Sequence, residues 1–151
     1  MKIAVLVKQV PGSESSLPIN ESNDWIDESS ITYVMNPPDN FALEEALIIK
    51  EKTGSGEVVV VSMGPSRVQK VIREGLAKGA DRGIHVQEDE IIETDPLLIS
   101  ERFTDALKSE NFDLILTGLQ SDDTGMGQTG ILIGEMLGLS TATLVIQTDL
   151  S

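Results

Sequence analysis

The thirteen residues Gly118–Gly130, GLQSDDTGMGQTG, lie between an apolar run at Leu114–Leu116 and an apolar helical run that begins at Ile131. A glycine-rich loop feeding a helix is suited to holding an anion. Gly125, Gly127 and Gly130 let the backbone approach a ligand closely, and the first N–H groups of the helix have no partners of their own, so a phosphate fits there without a lysine. Hydrogen bonds of this charge-assisted kind contribute about 1.5–3 kcal/mol each. The Gln128 and Thr129 side chains add donors. Asp122 and Asp123 in the same loop could hold a divalent ion, although adjacent loop acids more often stay solvated or cap a turn. The chemistry on offer is recognition of a nucleotide.

Other chemistries are poorly supplied. Gly125–Gly130 spells G-x-G-x-x-G, with Asp149 roughly where a ribose-binding acid would stand. That fingerprint normally turns directly off the first strand. Here Gly118–Thr124 intervene, so an NAD-dependent oxidoreductase is only a third reading, and no hydride-handling site is evident. No lysine follows the glycines, which excludes a Walker loop. The chain has no cysteine, and its single histidine, His85, stands alone inside an apolar run as a half-buried structural residue. Neither a Ser/His/Asp nor a Cys/His arrangement is present, and the carboxylates show no acid–base spacing. The chain reads as a binder, not an enzyme.

With 11 basic and 25 acidic residues the net charge is −14. Such a surface repels nucleic acid and anionic membranes while leaving room for one locally cradled phosphate. The opening MKIAVLV lacks a cleavage-site pattern and is too short to span a bilayer, so it reads as a buried strand of a cytoplasmic protein.

Elements that would position the loop recur along the chain. Apolar, β-branched runs at Ile3–Val7, Val58–Val61, Ile84–Val86, Leu114–Leu116 and Thr143–Ile146 alternate with amphipathic stretches of helical period. The pattern predicts one α/β domain over residues 1–151: an open, mainly parallel, Rossmann-like five-stranded sheet with helices on both faces. Predicted helices start at a cap on Asp39 and stop at Gly54, start at a capping box on Ser66 and Gln69 and stop at Gly79, start at Asp95-Pro96, and run over Thr129–Leu137. Residues 11–35 are too polar and interrupted for a crossover helix. The Asn23-Asp24 pair suggests a surface hairpin there.

A strand order of 3-2-1-4-5 puts the switch point, where open α/β sheets bind ligands, between the first and fourth strands. Four segments would meet there: Val7–Val10, Met35–Asp39, Met63–Ser66 and Gly118–Thr129. Phosphate would rest on the backbone of Gly125–Thr129, and a base would extend toward the amide of Asn36. Met35, Met63 and Met126 would either pack on an adenine or fill gaps.

These segments in order, Val5–Val10 (VLVKQV), Met35-Asn36-Pro37 leading to Ala42–Ala46, Val60–Pro65 (VVSMGP), Ala77–Gly83 (AKGADRG) and Gly118–Gly130, resemble the electron transfer flavoprotein beta subunit along nearly the whole chain. The resemblance implies an adenine nucleotide alpha hydrolase-like fold that binds AMP structurally. It also implies pairing with an FAD-bearing alpha subunit to carry electrons from flavoprotein dehydrogenases, with FAD itself an alternative occupant of the site. Carried over by position, the family's nucleotide contacts fall on Leu6, Asn36, Pro37, Pro38, Asp39, Met63 and the loop residues Gly118, Gln120, Asp122, Asp123, Thr124, Gly125, Gly127, Gln128 and Thr129. Two departures stand out. The family's acid run and Asn before Gln-Thr-Gly is here Asp-Thr-Gly-Met-Gly, and Pro38 replaces a frequent aromatic residue. Family members also continue beyond this length. A second reading is a stand-alone, homodimeric universal-stress-type nucleotide-binding regulator.

Overall fold

The computed structural model describes residues 1–89 and 95–149. Strands β1 (Lys2–Leu6), β4 (Glu57–Gly64), β5 (Arg82–Gln87) and β6 (Leu114–Thr117) form one parallel sheet in the order β5-β4-β1-β6. The short strands β2 (Gln9–Pro11) and β3 (Tyr33–Met35) pair antiparallel beside it. The register sets Ile3 opposite both Val58 and Leu114, and Leu6 opposite Val61 and Thr117. The central strands β1 and β4 are buried on both faces, which is why they read as unbroken apolar runs.

Alternation divides their side chains between two cores. Ile3, Val5, Val58 and Val60 pack under α1 (Pro37–Thr53) and α2 (Gln69–Lys78) with Leu43, Ala46, Val71 and Ile72. Ala4, Leu6, Val59 and Val61 face α3 (Pro96–Leu107) and α4 (Thr129–Leu137) through Phe103, Leu107 and Ile133. The α/β class and the first four strands of the expected order are therefore present.

The fifth strand is not. Residues 141–149 are non-helical and outside any strand, and Leu144, Val145 and Ile146 are 75%, 54% and 101% exposed. Their β-branched composition gives strand propensity, but propensity without a ladder partner and a covering face does not make a strand. Leu144 adopts φ +55°, outside extended geometry. The segment instead reaches back to α1, where the Thr148 hydroxyl donates to the Glu45 carboxylate.

Helix ends follow local chemistry with two corrections. Asp95 caps α3 by accepting the Leu97 N–H at 2.8 Å, and α1 stops at Gly54 in left-handed geometry. The cap of α1 is Asn36, with Pro37 in the first turn, and Asp39 lies inside the helix. Ser66 begins a 3-10 turn over 66–68 ahead of α2 and makes no side-chain cap. In the 11–35 excursion Ile19 bridges Ile26 antiparallel, and Asn23 takes the left-handed conformation, φ +58°, that the tight turn requires.

Candidate nucleotide-binding site

Strand order reverses at β1. The chain passes from β1 to β4 on one side, whereas β6 lies on the other, so the crevice opens beyond Leu6 and Thr117. Three contacts bolt the loops together there. Asp39, 6% exposed, accepts the Lys8 N–H at 2.7 Å with Oδ2 and the Gly118 N–H at 3.1 Å with Oδ1, tying the two strand exits to the start of α1. A Cβ on Gly118 would overlap Asp39 Oδ1 and lie 2.9 Å from Asp39 N, which explains the glycine at that point. Burial pushes the Asp39 carboxyl up to about 6, against the pull of its bonds from Lys8 and Gly118.

Asn36, 1% exposed, supplies the second bolt. Its Nδ2 donates to the Gln120 carbonyl at 3.0 Å, and its Oδ1 accepts the Asp122 N–H at 3.0 Å. Its amide is committed to holding the loop, so its role is to shape the crevice. The third contact starts from Lys8, whose Nζ lies 2.7 Å from Asp123 Oδ1 and 3.3 Å from the hydroxyls of Ser121 and Thr124. Partial burial opposes ionisation of Asp123, but Lys8 and Ser121 outweigh it and hold the carboxyl below its usual value. Asp123 Oδ1 also accepts the Thr124 N–H at 2.7 Å, and the Gly125 N–H closes a turn onto Ser121 O at 2.9 Å. Asp123 thus holds the loop through its carboxylate on Lys8, and Asp122 through its main-chain N–H on Asn36.

From this anchored turn the chain runs through Gly125 and Gly127, at φ +62° and +65°, into α4. Leu132 N–H is the first to be taken up by the helix, bonding to Gln128 O at 3.1 Å. Among the described residues no backbone or side-chain group accepts the N–H of Thr129, Gly130 or Ile131, and Gln128 makes no side-chain cap. Gly130 packs against Thr117, whose Oγ1 would lie 2.8 Å from an added Cβ, so α4 starts directly over the end of β6. The donor set therefore fits an anionic group: three free amides at a helix start, no carboxylate capping them among the described residues, and Gly125 and Gly127 without side chains to fill the approach.

Sequence reasoning does not single out Lys8. The available signal is that it is the sole basic residue in the four segments that meet at the crevice. Of the methionines, Met35 is buried in the first core and Met63 packs against the second, so both fill gaps, whereas Met126 is 46% exposed on the loop itself. Leu6 is buried, Pro38 is half-buried and Pro37 is exposed at the start of α1, and Gln120, Thr124 and Gln128 are exposed along the loop. Asp149 is remote from the crevice. It lines a shallow cavity with Ile49 and Thr53 at the far end of α1, about 25 Å of helix from Asn36. That separation removes the acid which the dinucleotide fingerprint needs. His85 is half-buried in β5 with Nε2 2.8 Å from Gly64 O, a structural bond.

The model of the electron transfer flavoprotein domain matches residues 24–151. The chain belongs to the electron transfer flavoprotein family. Among curated relatives, the electron transfer flavoprotein subunit beta of Methylophilus methylotrophus is 40% identical over 146 residues, covering 96% of this chain and 55% of the relative. The mitochondrial subunit beta of Arabidopsis thaliana is 39% identical over 143 residues, 95% of this chain and 56% of the relative. The human subunit beta is 33% identical over 152 residues, 99% and 60% respectively. The chain spans a little over half the length of these relatives. Among the described residues no helix is long and apolar enough to cross a membrane.

Proposed function

We propose that this chain is the nucleotide-holding part of an electron transfer flavoprotein beta-type subunit, with AMP bound as a structural ligand in the crevice between β1 and β6. One observation carries the reading: the amides of Thr129, Gly130 and Ile131, without acceptors among the described residues, on a loop that Asn36, Asp39 and Lys8 fix in place. The phosphate would sit on those amides, and the base would lie toward the Pro37–Pro38 turn and Met126. FAD, which presents the same adenylate end, is the alternative occupant.

Family membership supports the further reading that the chain pairs with a flavin-bearing alpha subunit and serves in passing electrons from flavoprotein dehydrogenases. The chain's own residues would contribute binding and shape. Electron transfer would belong to the bound flavin, and the reading is of a carrier component.

The test is ligand-dependent stability. AMP at one hundred times its dissociation constant adds about 2.7 kcal/mol, equivalent to a melting-temperature rise of about 5–10 °C for a domain of this size. Gly127→Val should remove the rise, because a β-branched residue strains the left-handed backbone, φ +65°, that leads into the amides. Wild-type protein whose melting temperature ignores AMP, ADP, ATP and FAD overturns the proposal. Co-purification with a flavin-bearing chain supports the pairing, whereas a stable ATP-holding homodimer without such a partner supports the universal-stress-type regulator.

A further inference from the structure

The chain has no cysteine, so its oxidisable sulfur is confined to five methionines. Three of the thioethers are sheltered. Met35 is buried in the first core, Met63 packs against the second, and Met136 is half-buried with its Sδ accepting the Thr104 hydroxyl at 3.5 Å. The exposed pair is Met1, at 44%, and Met126, at 46%, in the middle of the loop that leads into α4. Met1 precedes β1 and lies at the opposite end of the sheet from the crevice.

Packing does not account for Met126. It belongs to neither core, and its neighbours Gly125 and Gly127 carry no side chain that could shield the sulfur. The turn before it is fixed, with the Gly125 N–H closed onto Ser121 O at 2.9 Å and Asp123 held 2.7 Å from Lys8. Three residues after it begin the amides of Thr129, Gly130 and Ile131, which have no acceptor among the described residues. Exposure governs how readily a thioether is oxidised, and the product replaces a weakly accepting sulfur with a polar S=O group.

We propose that Met126 is an oxidative modification site whose sulfoxide weakens nucleotide binding by the loop before α4. The inference rests on the nucleotide reading and adds a means of regulating it. A hydroperoxide transfers one oxygen atom to the Met126 sulfur. The S–O bond forms as the O–O bond breaks, the sulfur gives up two electrons, and the departing oxygen takes the proton and leaves as water or an alcohol. The S=O oxygen then offers the amides of Thr129, Gly130 and Ile131 an acceptor within the same loop, in competition with a phosphate. The same step makes polar a side chain that the nucleotide reading places beside the base.

The full chain is treated with hydrogen peroxide until Met1 is converted, and peptide mapping by mass spectrometry follows each methionine. Met126 should be oxidised with Met1, ahead of Met35, Met63 and Met136. Calorimetric titration with AMP should then show an affinity reduced about tenfold, restored by methionine sulfoxide reductases of both stereospecificities. Met126→Leu, compared with itself before and after the same treatment, should show no change, which separates the effect from oxidation of Met1. Far-UV circular dichroism verifies that both treated proteins keep their fold. Oxidation of Met35, Met63 or Met136 ahead of Met126, an AMP affinity of the unsubstituted chain that survives treatment, or an equal loss in Met126→Leu overturns this inference and leaves the nucleotide reading standing. Untreated protein that does not bind AMP overturns both.

Discussion

Asp39→Asn tests the central bolt of the crevice through pH. The wild-type carboxyl, ordinarily near 3.8, is pushed up to about 6 by burial. Between those two values the folded protein holds a proton that the unfolded chain has released. Stability from this group is therefore fully present below pH 3.8 and is lost as pH rises through about 6. The full span is about 3 kcal/mol, of which about 1.3 kcal/mol falls between pH 5 and pH 7. Lys8, with Asp123 beyond it, is the charged neighbour that faces the group.

The amide that this substitution introduces does not titrate. It would still accept one of the two N–H groups, from Lys8 or Gly118, and would leave the other without an acceptor at about 1–3 kcal/mol. At pH 7 this loss is offset by removal of a buried charge, so the variant should nearly match wild type. At pH 5, where the wild-type acid is largely neutral, the variant should be the weaker protein. Urea unfolding followed by circular dichroism at intervals from pH 5 to pH 7 gives the difference directly, and the other carboxylates cancel in the comparison. Parallel curves for the two proteins would refute the argument that Asp39 is a net desolvated carboxyl.

Ser62→Ala should be neutral or stabilising by up to about 1 kcal/mol, because the Ser62 hydroxyl is fully buried without a hydrogen-bond partner among the described residues; thermal unfolding checks it. Gly75→Ala should destabilise by about 1–3 kcal/mol although alanine is the better helix former, because its Cβ would lie 2.6 Å from the branched, buried Val60; a higher melting temperature would refute the packing argument. Glu110→Gln removes a carboxylate 2.7 Å from Lys2 and 2.6 Å from Arg82 that those cations hold down to about 2. The network is partly exposed, so the loss should stay below about 1 kcal/mol and shrink in high salt.

Legibility in the sequence follows the range of the interactions involved. Helix α4 is readable to the residue because its start and stop are local: glycine freedom before Thr129, an apolar face, and Gly138 at φ +67° after Leu137. Strands β1 and β4 are readable over Ile3–Leu6 and Val58–Val61 because burial on both faces keeps those runs wholly apolar. Thr143–Ile146 carries the same composition without the partner strand or covering face, and it is not a strand. Composition reports what a segment can do in a sheet, and only the neighbouring edge decides whether it does.

The crevice divides along the same line. Its free amides are legible because an uncapped helix start after Gly125 and Gly127 is a property of a few consecutive residues. What holds that start in place is not, since Asn36 reaches 84 and 86 residues along the chain to Gln120 and Asp122, Asp39 reaches 79 to Gly118, and Lys8 reaches 115 to Asp123. Locally Asn36 reads as a base-binding amide and Asp39 as a helix cap, and Lys8 carries no local signal at all. Asn36 and Asp39 fall in the segments expected to touch a ligand, but the structure commits their polar atoms to the loops themselves. On the proposed reading, binding by this loop would depend on backbone groups that no side-chain substitution removes, supported by three polar side chains whose loss would act on the loop's shape. The two kinds of variant differ in how they act: Gly127→Val should abolish ligand stabilisation by straining the left-handed backbone that leads into the amides, at about 1–2 kcal/mol of unliganded stability, whereas Asn36→Ala should weaken the ligand response only by loosening the loop and lower unliganded stability by about 1–3 kcal/mol. An Asn36→Ala protein of wild-type stability that fails to respond to AMP would place Asn36 on the ligand instead.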